Sequence, residues 1–276
     1  MSFDLTAIAV ALLLVVLAPR LVVRASRPLR SGLSCVNRGR NASRVSVGLV
    51  FVVAFALGVV ATWVSRPVPR MLDEFSYLLA ADTFAHGRVT NPPHPFWKHF
   101  ESIHIIQQPT YQSKYPPGIG LMLALGQVLF GDPLVGAWLS HALAAAAVCW
   151  MLLAWVPPRM ALLGGLLAAL HGGFLLGWGQ SYWGGALAMC GGALVYGAMR
   201  RVLRNASVPH VLVLGAGLFI LAVTRPVEGL VACVPVVATL LWAGARRVAT
   251  LLRNRPQRRD ERRSGWISRS RRRRPG

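Results

Sequence analysis

Residues 71–120, MLDEFSYLLAADTFAHGRVTNPPHPFWKHFESIHIIQQPTYQSKYPPGIG, form the one long polar interval in an apolar chain. Four of the nine carboxylates fall in it: Asp73, Glu74, Asp82 and Glu101. Both lysines, Lys98 and Lys114, and four of the seven histidines, His86, His94, His99 and His104, fall there too. A chain that gathers its ionisable side chains between apolar runs is expected to do its chemistry there. The fold class then turns on what flanks the interval.

What flanks it reads as membrane. The 276 residues are 54% hydrophobic and only 14% charged, with a mean hydropathy of +0.50. Soluble domains carry about a quarter charged residues. Apolar runs recur at 5–23, 46–64, 134–156, 160–178, 184–199, 209–224 and 229–245. Runs of this length imply an all-α polytopic membrane protein with about seven spans. The alternation expected of barrel strands is absent. Net charge is +21, but residues 246–276 hold 13 Arg against Asp260 and Glu261, and seven more arginines lie between 20 and 44. Basic blocks beside spans set topology or touch anionic lipid, so nucleic acid is not an expected partner. The four cysteines, Cys35, Cys149, Cys190 and Cys233, show no metal or redox spacing.

Arginine is absent before residue 20 and dense after it, which places 24–44 in the cytoplasm and the N-terminus outside. The sequons at Asn41 and Asn205 then fall on the cytoplasmic side. The second span leads out to a loop, 65–117. A short helix is expected over about 72–86, burying Leu72, Phe75, Leu78, Leu79 and Ala85 and ended by Gly87. Six prolines make 91–117 irregular. Residues 118–131, GIGLMLALGQVLFG, are apolar but short for a ~30 Å core. Were they to cross, Arg200, Arg201, Arg204 and the basic tail would lie outside. The positive-inside rule makes them interfacial or re-entrant. The 65–117 loop, the 179–185 turn and the 224–229 turn then share the outer face. The expected domains are a membrane domain, 1–245, and a basic disordered cytoplasmic tail, 246–276.

Asp73 and Glu74, at the head of that helix, suit a base for an incoming hydroxyl or simple helix capping. Lys114 suits a phosphate or an interfacial position. Arg225 could grip phosphate through its planar fork or pair with Glu228. His94, His99 and His104 lack helical ligand spacing. No metal site and no cofactor are expected, with a divalent metal left open. His141 and His171 read as interior hydrogen-bonded residues. Trp63, Trp155, Trp178 and Trp183 suit an aromatic belt.

The segments LDEFSYLLAADTFAHGR, YQSKYPPGIGLMLALGQVLFG, GQSYWGGALAMCGGAL and TRPVEG, in this order between about residues 46 and 235, resemble bacterial members of the GT-C glycosyltransferase superfamily. Those are relatives of protein O-mannosyltransferases and of the aminoarabinose transferase of lipid A. The resemblance implies a multi-pass enzyme of the inner (plasma) membrane, with its active loop on the external side. It would use a polyprenyl-phosphate sugar as donor and transfer the sugar with inversion to an acceptor hydroxyl. Asp73 and Glu74 match the catalytic acidic pair, with Asp73 favoured as base. Lys114 and Arg225 are the candidates for the donor phosphate. Tyr115, Gln180, Tyr182, Trp183 and Glu228 are the candidates for the substrate pocket. Members often show an aromatic residue where this chain has Val227. They also continue further, so the resemblance makes this chain an N-terminal portion. Two other readings compete: a non-catalytic or truncated membrane protein that retains the fold, and a small-molecule transporter. Charges concentrated in loops and the lack of inverted repeats weigh against the transporter.

Overall fold

The computed structural model describes residues 42–253. The expected first span and most of the basic tail lie outside them. Most of the described chain is helical, and the longest stretch between α-helices runs from about residue 86 to 116. It begins with α1, Ala42–Val64, whose 23 residues at 1.5 Å each extend about 34 Å. Next come α2, Leu72–Ala85, and a two-stranded antiparallel hairpin, β1 (Ile105–Ile106) and β2 (Gln112–Ser113), in which Ile105 pairs with Ser113. Then follow α3, Pro117–Phe130; α4, Pro133–Leu152; α5, Pro158–Leu170; α6, Gly172–Gly179; α7, Ala186–Arg204; α8, Val208–Thr224; and α9, Pro226–Arg253. Among the described residues four helices, α1, α4, α7 and α9, are long and apolar enough to cross a membrane. The count is five if α5 and α6 are one bent span. This is the build of a membrane-embedded, all-α protein.

The described residues divide into two compact units within α9, one reaching Cys233 and one starting at Val234. In the second unit α9 carries Pro235 and sets Arg246 over the Trp242 ring. The helix runs past residue 245, where the disordered tail was expected to begin, through Arg253. In the first unit α4 is the central helix. It packs on α1 and α5 through Val50, Ala54, Ala142, Ala145, Cys149 and Leu162, and on α7 through Ala144, Ala147, Cys190 and Ala193. Alanine and glycine dominate these contacts because helices in lipid gain from close backbone approach rather than from expelling water. Cys149 and Cys190 are among these small buried side chains.

α3 and α4 approach closely where Gly126 meets Gly136. A Cβ on Gly136 would sit 2.0 Å from the Met122 carbonyl oxygen. The turn between them uses Gly131 in the left-handed region, φ 73°, then Asp132, whose carboxylate accepts the Leu134 N–H. Both ends of α3 meet residues at the ends of longer helices. Gly118 lies against Thr224, the last residue of α8. Asp132 pairs with Arg66, just past α1, at 2.7 Å.

Two expectations are corrected. The 160–178 run is not one helix: it breaks at His171 with a 51° bend, and the His171 ring accepts the Phe174 N–H to start α6. His171-Gly172-Gly173 supplies the break, since glycine weakens a helix interior. The buried face of α2 also differs. Leu72 and Phe75 are 62% and 51% exposed. The buried residues are Glu74, Ser76, Tyr77, Ala80, Ala81 and Thr83. That face sets Tyr77 and Ala81 against Ile119, Leu123 and Tyr182 and gives Glu74 and Ser76 hydrogen-bond partners in the 180–185 turn and the hairpin.

Candidate functional site

The site forms around the first turn of α2. Met71 is extended, at φ −112° and ψ 147°, and turns the chain into the helix. Two acids follow, where a helix N-terminus favours negative charge. Adjacent helical residues point about 100° apart, and the two carboxylates meet different surroundings.

Glu74 turns inward. Its Oε2 accepts the backbone N–H groups of Arg70 (2.7 Å) and Met71 (3.1 Å). Its Oε1 accepts the N–H of Tyr182 at 3.1 Å. A carboxylate only 5% exposed is tolerated because its oxygens are hydrogen-bonded. Glu74 thus caps α2 and ties it to a turn 108 residues away.

Asp73 turns toward the hairpin. Its Oδ1 accepts the Tyr115 hydroxyl at 2.5 Å and lies 2.8 Å from His104 Nδ1. The same Nδ1 is 2.6 Å from the Tyr115 oxygen. Tyr115 has one hydroxyl proton and directs it at Asp73, so the His104 nitrogen that meets both oxygens carries a proton of its own. The Asp73 and His104 side chains stay 26% and 19% exposed. Asp73 Oδ2 and His104 Nε2 have no hydrogen-bond partner among the described residues.

Residues at i+3 and i+4 from Asp73 hold this cluster in place. The Ser76 hydroxyl donates to the His104 carbonyl at 2.7 Å and lies 2.8 Å from the Ser113 hydroxyl. The Lys114 N–H reaches the same carbonyl at 3.2 Å. Tyr77 stacks on Tyr115 with ring centroids 4.8 Å apart. Further along, Asn91 donates to the Thr83 hydroxyl at 2.7 Å and bridges to Tyr111. Partial burial, then the hydrogen bond and charge of Asp73, push the Tyr115 hydroxyl up to about 12. Burial likewise raises Tyr77. The Arg225 charge opposes both rises, which places its guanidinium within electrostatic reach of the cluster.

Arg225 follows α8. Its Nη1 meets Glu228 at 3.2 Å and its Nη2 donates to the Gly184 carbonyl at 3.3 Å. It both pairs with Glu228 and keeps a third of its side chain open. Lys114 is exposed and lines a separate cavity of about 280 Å³ that it shares with Tyr115, Phe84 and Val89; Arg225 is not in its walls. No ion pair holds Lys114 among the described residues. Gln180 is a strut: its amide donates to the Gly58 carbonyl and accepts the Thr62 hydroxyl, both at 2.8 Å. The Tyr182 ring is buried against Tyr77, Ile119 and Leu123.

Trp183 opens on a different space, a groove of about 830 Å³ on the Glu74 side of α2. Val64, Met71, Phe174, Leu176 and Trp178 give it apolar walls, and Arg66 and Arg70 stand in it. Arg66 is engaged by Asp132; Arg70 forms no ion pair among the described residues. Sequence reasoning missed His104 as a partner of Asp73, and missed Arg66 and Arg70. The available signal for the arginines was R-P-V-P-R directly after an apolar run. For His104 there was none, since its placement depends on the hairpin. His94 and His99 stand apart from it, flanking Phe96.

No protein-family model, no curated protein and no solved structure matches this chain. The chemical reading therefore rests on the side chains themselves.

Proposed function

We propose that the chain is a membrane glycosyltransferase of the GT-C kind, moving a sugar from a polyprenyl-phosphate donor to an acceptor hydroxyl with inversion. The observation that carries this reading is the Asp73–Tyr115–His104 cluster. A hydroxyl acceptor becomes a good nucleophile only as a base takes its proton. In this reading Asp73 Oδ2 receives that proton while the acceptor oxygen bonds to the anomeric carbon. The bond from that carbon to the phosphate oxygen breaks, and the lipid phosphate leaves as an anion. Tyr115 and His104 fix the carboxylate, and Arg225 stabilises the charge that develops on the phosphate.

Two features support a lipid-linked substrate. The groove beside Glu74 pairs apolar walls with arginine, as an amphiphilic anion requires. The Asp73 side also lies at the opposite end of α7 from Arg200, Arg201 and Arg204. Tyr182 precedes that helix and binds Glu74, while Arg201 lies in its last turn, stacked on Trp150. The positive-inside rule then puts the arginines in the cytoplasm and Asp73 on the external face of the plasma membrane.

The test is transfer of labelled sugar from polyprenyl phosphate by membranes containing this chain, with donor binding measured in parallel. Arg225→Lys keeps the charge but loses the planar fork, and is expected to weaken donor binding at least tenfold if Arg225 grips the phosphate. Loss in Arg70→Ala with none in Arg225→Lys or Lys114→Ala would move the phosphate to the groove. No donor binding by the unaltered chain overturns the reading and leaves a non-catalytic membrane protein.

A further inference from the structure

One exposed surface of the molecule is apolar and basic at once. It runs from the end of α1 into the first turns of α2. Trp63, Val64, Val68, Met71, Leu72 and Phe75 are exposed there, and Arg66 and Arg70 stand exposed among them. Only two acids lie between residues 63 and 75, and both are withdrawn from this surface. Glu74 is buried against backbone N–H groups, and Asp73 is turned to Tyr115 and His104. α2 is thus amphipathic in reverse. Glu74 and the hydroxyls of Ser76 and Thr83 pack inward, while Leu72 and Phe75 stand outward.

Hydrogen bonds set the level of this surface in the bundle. Gln180 is bonded to the Gly58 carbonyl and the Thr62 hydroxyl, both within the last two turns of α1, which ends at Val64. Tyr182, two residues on, donates its N–H to Glu74, and α7 starts at Ala186. The first turn of α2 is therefore held level with the ends of two helices that are long and apolar enough to cross a membrane. Tryptophan, arginine and apolar side chains together are the composition of a segment lying in the membrane–water interface.

A second copy docked by two-fold symmetry brings the same patch against itself. Arginines would then face arginines, with both local acids turned inward. Arg66 already holds Asp132, whereas Arg70 has no ion pair among the described residues and suits an anion. A bilayer with anionic headgroups supplies both halves of the match, acyl chains for the apolar side chains and phosphate for the guanidinium. We infer that residues 63–75 form an interfacial anchor that lays the first turns of α2 on the bilayer, with Leu72 and Phe75 among the acyl chains and Arg70 at the phosphate of an anionic lipid. The anchor fixes Asp73, next in sequence to Leu72, at the depth of the headgroups. The inference stands whether or not Asp73 acts as a base.

The test places the full chain in nanodiscs of phosphatidylglycerol and phosphatidylcholine in equal parts, with bimane attached to Leu72→Cys or Phe75→Cys. Both positions are exposed, so the variants are expected to fold and elute as the unaltered chain does. Label taken up by the four native cysteines is measured on that chain and subtracted. Brominated acyl chains quench the label from lipid, and acrylamide quenches it from water. Bromine is carried by one lipid class at a time. Bromolipid is expected to quench at both positions, acrylamide only weakly, and brominated phosphatidylglycerol more than brominated phosphatidylcholine. Arg70→Gln should lower that preference about fivefold, the factor equivalent to the ~1 kcal/mol of one basic residue at an anionic surface. Quenching by acrylamide alone would leave the helix in water, and quenching by neither would put a protein surface over it. Either result overturns the inference. So does equal quenching by the two lipids with Arg70 intact, or a preference that survives Arg70→Gln unchanged.

Discussion

Glu74 gives both carboxylate oxygens to backbone N–H groups and is 5% exposed, whereas Asp73 meets two side chains and keeps about a quarter of its surface open. The residues are neighbours in sequence and belong to different parts of the molecule. Backbone amides cannot exchange a proton with a substrate, so the Glu74 environment can only hold. Tyr115 and His104 are titratable, and Asp73 retains an uncommitted oxygen, so that environment can react. Buried polar groups justify themselves by being satisfied. A carboxylate held on one side and open on the other needs a further reason, and proton transfer supplies one.

The sharpest way to break this comparison is to neutralise each acid without changing its size. Asp73→Asn removes the proposed base, and sugar transfer is expected to fall by roughly 10²–10⁴-fold. Donor binding and thermal stability should stay close to those of the unaltered chain, since Asp73 is linked only to side chains that remain partly solvated. Full transfer in this variant would strip Asp73 of the role and leave His104 Nε2 as the next group to examine.

Glu74→Gln is expected to act through stability instead. The amide keeps one acceptor oxygen and brings an NH₂ against N–H groups that need an acceptor. At least one buried backbone donor then loses its partner, at a cost of about 1–3 kcal/mol. Thermal unfolding in micelles measures this, and transfer per folded molecule should change far less than in Asp73→Asn. Equal catalytic losses in the two variants at unchanged stability would erase the distinction between them.

The asymmetry was only partly legible in the sequence. α1, α4, α7 and α9 lie close to their expected positions because an apolar run of about 20 residues has few alternatives to a helix. The end of α2 was marked by Gly87, whose φ is 69°. The inward face of α2 was not legible. In a soluble protein Leu72 and Phe75 would point to the core. Here α2 buries Glu74, Ser76 and Thr83 beside Tyr77, Ala80 and Ala81 and leaves those two exposed, so apolar character does not report the inside. The break at His171 was written in His-Gly-Gly but hidden within an otherwise continuous apolar run. Asp73 could be named from its place at a helix start, but not its partners. His104 lies 31 positions away, and only the antiparallel pairing of Ile105 with Ser113 brings it beside Tyr115.

The smallest expected effect tests the electrostatics of the Asp73 side directly. The Tyr115 hydroxyl titrates at about 12 in the folded chain, against about 10 for a free tyrosine. A raised value means that folding favours the neutral phenol. Its contribution to stability is therefore complete below pH ~10 and is lost as pH rises from there through about 12. Phenolate absorbance, taken as the difference between the chain and Tyr115→Phe, follows this one group. In Asp73→Asn the value should fall, because a charge that resists phenolate formation is gone. It should remain above the ordinary one, because burial is the largest cause of the rise. In Arg225→Gln it should move the other way, since the guanidinium favours the phenolate. The two shifts are opposite in sign, so a general loosening of the loop, which would lower both, cannot imitate them. Movement in the same direction in both variants would show that Arg225 and Asp73 do not act on a common Tyr115.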